Sequence, residues 1–236
     1  MNNPLTSWFT LITTALLLSA CGSDNNNSNS EPLSSGSGDV RYQIRFEHNW
    51  DKARFATGFP ANPHFSPLVG ATHNQQAVIW RPQDQPATAG LEQVAETGKT
   101  STFTAELNQL KQQGYVDAIF KSTGGVSPGE QNITVALSEQ FPLLSAISMI
   151  APSPDWFVGI RDVNLYVDGT WLERLELDLR LYDAGTESGE AFSIDNPAGG
   201  DRIISLLSTT AQHTDFINGV HRDSGLFVGR IVIERQ

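Results

Sequence analysis

The chain has 236 residues and one cysteine, Cys21. With no second thiol an internal disulfide is excluded, so stability has to come from a packed core and from any bound ion. Positive charge is scarce as well: 15 Lys and Arg stand against 26 Asp and Glu, a formal charge of −11. That balance excludes a phosphate-neutralising nucleic-acid surface and electrostatic docking on anionic lipid, and it favours solubility and cations. Long apolar runs are missing; the longest, Trp8 to Ala20, is broken by threonines and too short to span a bilayer. Familiar catalytic patterns are absent too. There is no G-x-S-x-G elbow, no H-E-x-x-H, and Gly124-Gly125 does not continue as a phosphate loop. The five histidines, His48, His64, His73, His213 and His221, lie far apart along the chain.

What is present begins with a targeting segment. Residues 1–20 read as a signal peptide ending in Leu18-Ser19-Ala20, followed by Cys21. Small residues before a lone cysteine form the lipobox of bacterial lipoproteins, and Cys21 is the expected lipidation site. The n-region, Met1-Asn2-Asn3-Pro4, departs from the usual signal in carrying no Lys or Arg. Gly22 after the cysteine, where Asp would retain the protein at the inner membrane, resembles the outer-membrane sorting pattern. Residues 21–38 are then the lipidated cysteine and a polar tether with almost nothing to bury, reaching roughly 20–25 Å. Residues 39–236 are read as one domain.

Within it, short strands recur between Gly and Pro turns. Arg41 to Glu47 alternates, with Tyr42, Ile44 and Phe46 on one face. Further strands are expected at Gln76–Trp80, Tyr115–Ser122, Asn132–Leu137, Leu143–Ala151, Arg202–Ser208 and Phe227–Glu234. A short helix before Gly98 and a second over Thr102–Gln113, stopped by Gly114, are expected at the periphery, the second as a lid on one end. His48 to Gly70, with Trp50, Phe55, Phe59 and Phe65 among prolines, reads as a loop packed down by its aromatics. The fold class is therefore all-β, an antiparallel β-sandwich with one or two short helices.

The stretch Ala151 to Gly189 organises the rest. Ser153-Pro154-Asp155-Trp156-Phe157-Val158-Gly159 and Tyr182-Asp183-Ala184-Gly185-Thr186-Glu187-Ser188-Gly189 bracket two strand-like runs. In the second run Leu175, Leu177, Leu179 and Leu181 alternate with charged residues. If the strands pair, Asp155 and Asp183 meet at one end of a sheet and Glu187 reaches the same point. Three converging carboxylates make a hard-cation site, with calcium the usual occupant; the plainer alternative is three solvated turn acids. Asp168-Gly169 reads as a hairpin turn. Trp156 and Trp171, the aromatics nearest the acids, border a possible ligand surface. The alternative reading makes Asp155 and Asp183 the acid and base of an envelope glycan hydrolase facing each other across a groove, which requires a separation of ~5–10 Å.

The order and spacing of SPDWFVG, Gly169-x-Trp171, Asp178-Leu179 and DAGTESG resemble the spondin domain, an extracellular module of the F-spondin and mindin type also found in bacterial envelope proteins. Leu68-Val69-Gly70-Ala71-Thr72-His73-Asn74, Ala89-Gly90-Leu91 and the closing Gly229-Arg230-Ile231-Val232-Ile233-Glu234-Arg235 extend the resemblance from about Val40 to the C-terminus. It implies a β-sandwich with one calcium ion on Asp155, Asp183 and Glu187, and adhesion to or binding of an extracellular or envelope ligand, protein or polysaccharide; with no nucleophile–base pair and no metal-hydrolase motif to read, no catalysis is expected. The chain departs from the animal members in having Glu rather than Asp at 187 and in lacking their domain cysteines.

Overall fold

The computed structural model describes residues 40–223 and 225–236. The signal peptide, Cys21 and the tether lie outside the described residues. In chain order the strands are β1 (Val40–His48), β2 (His64–Phe65), β3 (Val69–His73), β4 (Val116–Lys121), β5 (Gly125–Val126), β6 (Gly129–Leu137), β7 (Leu143–Ala151) and β8 (Trp156–Asn164). They continue as β9 (Tyr166–Val167), β10 (Thr170–Trp171), β11 (Arg174–Asp178), β12 (Leu181–Asp183), β13 (Ser205–Leu206), β14 (Phe216–Ile217), β15 (Val220–His221) and β16 (Gly229–Arg235). The helices are α1 (Ala89–Thr97) and α2 (Ser101–Gln112). No helix among the described residues is long and apolar enough to cross a membrane.

Two antiparallel sheets form the sandwich. The smaller has the order β11-β16-β1-β6; the larger is built on β7, with β8, β12 and β13 on one side. The other edge of β7 is shared: β3 pairs with Leu143–Ile147 and β2 with Ile150–Ala151. The alternation in β1 points Tyr42, Ile44 and Phe46 into the space between the sheets, where they meet Ile133, Ile231, Leu144, Val158 and Ile150. The all-β sandwich expected from the strand spacing is the architecture found.

Strand β7, LLSAISMIA, has every residue buried. A strand apolar on both faces must be covered on both. The helices supply the second cover: Leu91, Val94, Ala95, Phe103 and Leu107 pack on Val69, Ala71, Ile147 and Phe157 of the larger sheet. The second helix therefore lies on a face of the sandwich and is not a lid on one end. Gly90 lets α1 sit close to α2, since a Cβ there would stand 2.5 Å from the Phe103 Cα. Gly98 ends α1 in the left-handed conformation at φ +68, with its N–H donating to Val94 O.

Two other expectations change. Gln76–Trp80 is a loop rather than a strand. Its apolar residues Ala77, Ile79 and Trp80 are buried with the helices, and Trp80 stacks edge-on against Phe157 and Tyr182. The alternating leucine run belongs to two sheets: β11 pairs with β16, whereas β12 pairs with β8. Leu179 N–H still bonds Gly229 O on the smaller sheet, and Leu181 N–H bonds Gly219 O on the other side. The chain crosses between sheets at Arg180. The Asp168-Gly169 hairpin is found between β9 and β10, with φ of 51 and 76.

Candidate metal and ligand site

Asp155 immediately precedes β8, and Asp183 closes β12 opposite Trp156. This pairing sets the two acids side by side at one end of the larger sheet. The turn before Asp155 is closed by Ser153, whose hydroxyl donates to Ile150 O at 2.6 Å and accepts from Trp156 N–H at 3.3 Å. Asp155 is fully buried. Its Oδ2 accepts from Thr186 N–H at 2.6 Å, from Glu187 N–H at 3.1 Å and from the Thr186 hydroxyl at 3.2 Å. Its backbone carbonyl accepts from Ala184 N–H at 3.1 Å. One aspartate thus folds the whole Ala184–Glu187 turn against β8. Its other oxygen, Oδ1, is buried and has no hydrogen-bond partner.

Asp183 Oδ1 accepts from Gly185 N–H at 2.7 Å. Burial, then the charge of Asp155, then that of Asp201 push the Asp183 carboxyl up to about 6. Burial also raises Asp155, against the hydrogen bonds from Thr186 and Glu187. Glu187 is raised by burial first, then by Glu96, then by Asp155. So Asp155 and Asp183 come together, while Glu187 joins them through its backbone N–H and its carboxyl feels the charge of Glu96 before that of Asp155. Among the described residues no three His, Cys, Asp or Glu side chains form a ready cation cage. Even so, a bare buried carboxylate oxygen beside a second carboxylate suits a cation, and the donors are all oxygen, which fits calcium or magnesium rather than zinc. Asp201 and Glu96 were not singled out from sequence; Asp201, behind Gly199-Gly200, is the one a turn pattern could have flagged.

Three sequence expectations are corrected here. The hydrolase arrangement fails because Asp155 is sealed from solvent and lies beside Asp183 at the end of the β8–β12 pairing rather than facing it across a groove. Trp156 is not a ligand surface: it is fully buried, its ring 5.1 Å from Phe192 in the sandwich core. Trp171 sits beyond the far end of β8, a nine-residue strand about 30 Å long, and packs on Tyr166 and Tyr42.

A Ser-His-Asp group that sequence gave no sign of lies between β3, β7 and β8. Ser145 Oγ is 2.8 Å from His73 Nε2, and Asp162 Oδ1 is 3.7 Å from the same nitrogen. His73 Nδ1 faces Asn74 O at 2.9 Å, the place where a catalytic carboxylate would stand. Ser145 and His73 are both fully buried, and Ser145 accepts Asp162 N–H at 2.9 Å. The group closes a bulge in the β7–β8 ladder, with Asp162 at φ 51.

The Spondin_N family model matches residues 40–217, about three quarters of the chain. The chain belongs to the Spondin_N family. It is similar to human Spondin-2, with 31% identity over 206 residues, covering 84% of this chain and 62% of that protein. Rattus norvegicus Spondin-2 is 31% identical over 181 residues, 74% of this chain and 54% of that protein. Gallus gallus Spondin-1 is 29% identical over 209 residues, 84% of this chain and 26% of that protein. The chain thus spans less than two thirds of these relatives. The matched span of this Spondin_N chain holds Asp155, Asp183 and Glu187. The sandwich itself runs on past residue 217, because β16 pairs with both β1 and β11 in the middle of the smaller sheet.

Proposed function

We propose that this chain is a non-catalytic, calcium-binding adhesion or ligand-binding module, tethered to the bacterial outer membrane through a lipidated Cys21. The observation that carries the metal reading is Asp155: one oxygen is fully used in holding the Ala184–Glu187 turn, and the other is buried without a partner beside Asp183. Calcium would be held by Asp155 and Asp183, with Glu187 the third carboxylate of the same turn. The ion supplies positive charge where two buried carboxylates otherwise repel, and so fixes the turn to the sheet end. Membership of the Spondin_N family supports the binding role; the ligand is an extracellular or envelope protein or polysaccharide.

The test is calorimetric titration of metal-free protein with calcium. Heat of one-site binding is expected from the native chain and is lost in Asp155→Asn. No heat from the native chain, or equal heat from the variant, sinks the metal assignment. Binding is tested by retention of the protein on immobilised envelope polysaccharide and protein fractions; absence of retention on every fraction counts against the module reading. The anchor is tested by metabolic labelling with palmitate, which Cys21→Ser should abolish.

A further inference from the structure

Next to the acidic end of the sheet the surface opens into a cleft of about 590 Å³. Its walls include Pro60, Met149, Ala151, Pro152, Phe192 and Ile194. A second depression, of about 430 Å³, shares His64, Thr97, Met149 and Ala151 with it and runs on to Val126. The two form one groove along the end of β7. Ile194 stands at one end, 70% exposed, and Val126 at the other, 69% exposed, the two most exposed large apolar side chains among the described residues.

These side chains are held out by built structure. Ile194 lies on the long segment between β12 and β13, and two residues before it Phe192 is wedged between Trp50 and Trp156, with ring centroids 4.7 and 5.1 Å away. An anchored loop that presents an isoleucine to solvent beside an apolar cleft has the character of an interaction surface.

Charge narrows the occupant. Glu96 lines the cleft, in the last turn of α1, where the helix end already carries partial negative charge; the Arg202 guanidinium, whose field reaches it, is already paired with Glu92. Glu96 makes no ion pair within 4 Å among the described residues, and it helps raise the Glu187 carboxyl. Lys99 shares a neighbouring depression with Glu96 and does not line this cleft. An apolar trough with an unpaired acid in its lining is complementary to apolar side chains flanked by a cation.

We propose that this groove binds an extended peptide segment of a partner protein, with apolar side chains in the cleft and a lysine or arginine against Glu96. The proposal rests on the ligand-binding reading and names the chemistry of the ligand; it does not rest on the metal.

The experiment is fluorescence anisotropy with the purified full chain and three labelled peptides. They are Gly-Lys-Phe-Ser-Leu-Gly, its counterpart with Glu for Lys, and its counterpart with Ser for Phe and Leu. The first should bind at least about tenfold more tightly than either control, the difference one good contact makes. Ile194→Asp and Val126→Asp should each weaken it. Glu96→Lys should reverse the preference toward the Glu peptide, a result that loss of folding cannot mimic. Equal binding of the acidic peptide, or variants that bind as the native chain does, would overturn the proposal. So would self-association abolished by Ile194→Asp, which assigns the groove to a second copy. A native chain that ignores all three peptides but is retained on an envelope fraction overturns this inference and leaves the module reading intact; failure of both removes the two together.

Discussion

Asp155 divides its work between two oxygens, and this division decides what its neighbour feels. Burial first, and then the charge of Asp155, whose Oδ2 is committed to the turn, raise the Asp183 carboxyl from 3.8 to about 6. A raised carboxylate binds protons in the folded state that the unfolded chain has already lost, so between pH 4 and 6 stability falls as pH rises. A rise of that size corresponds to on the order of 3 kcal/mol. Metal-free Asp183→Asn should therefore be as stable as the native chain near pH 4 and more stable by up to about this amount at pH 7. Comparing the two proteins by denaturant midpoint isolates Asp183 from His48 and His73, which burial pushes below the usual imidazole range and which cost stability below pH 6.5 in both. A difference that does not grow with pH would show that Asp183 does not carry the strain. That Asp155 and Asp183 meet was legible in the sequence, since strand pairing alone brings turn residues together. The fate of Glu187 and Trp156 was not. Glu187 depends on which part of the residue the turn delivers to Asp155, and Trp156 on which face of β8 it takes, and neither follows from spacing.

At the scale of elements, one α2 side chain ties the start of α1 to α2, beside the Gln93 bonds to Ser101 and Thr102. Glu106 of α2 accepts Gly90 N–H at 2.7 Å and the Thr88 hydroxyl at 2.7 Å, while Thr88 Oγ1 caps Leu91 N–H at 3.1 Å. A carboxylate from one helix thus completes the N-terminus of the other, where negative charge is favoured. Glu106→Ala should cost about 1–2 kcal/mol in unfolding free energy, the usual value of a lost cap with a charged hydrogen bond. Glu106→Gln, which keeps an acceptor, should cost less. Thermal unfolding of the two variants checks the order; equal losses would place the contribution in packing. A second test concerns the crossing at Arg180. Leu181 is fully buried where the chain enters the larger sheet, so Leu181→Ala should cost about 2–5 kcal/mol. The half-buried Leu177, on edge strand β11, should cost clearly less. Helix limits were readable from apolar spacing and the stops at Gly98 and Gly114. The sheet switch was not, because period-2 alternation runs unbroken from Leu175 to Leu181 whichever sheet each leucine faces. The position of the helices was hidden as well, for it follows from β7 needing cover on both faces.

For the molecule as a whole, the governing facts are a charge of −11, no internal disulfide and a carboxylate pair at one end of the sandwich. Diffuse repulsion and the local pair both oppose folding, and they respond to different reagents. Sodium chloride screens exposed charges over about 10 Å at 0.1 M and leaves buried pairs almost untouched. A cation that binds only the folded state adds RT ln(1 + [Ca²⁺]/Kd), about 2.7 kcal/mol at a hundredfold excess over Kd. For a chain of this length that corresponds to a rise of roughly 5–10 °C in Tm. Millimolar calcium should therefore raise Tm well beyond sodium chloride of equal ionic strength, and a chelator should reverse the gain. Asp155→Ala should lose the calcium-specific increment while keeping the salt response. Its metal-free Tm reports two opposed effects, relief of the repulsion on Asp183 and loss of the bonds that hold Thr186 and Glu187. Asn in place of Ala restores part of the second without the first, so the pair of variants separates them. If calcium and sodium chloride move the native Tm equally, the acidic end binds no specific ion, and Asp155 serves the fold alone.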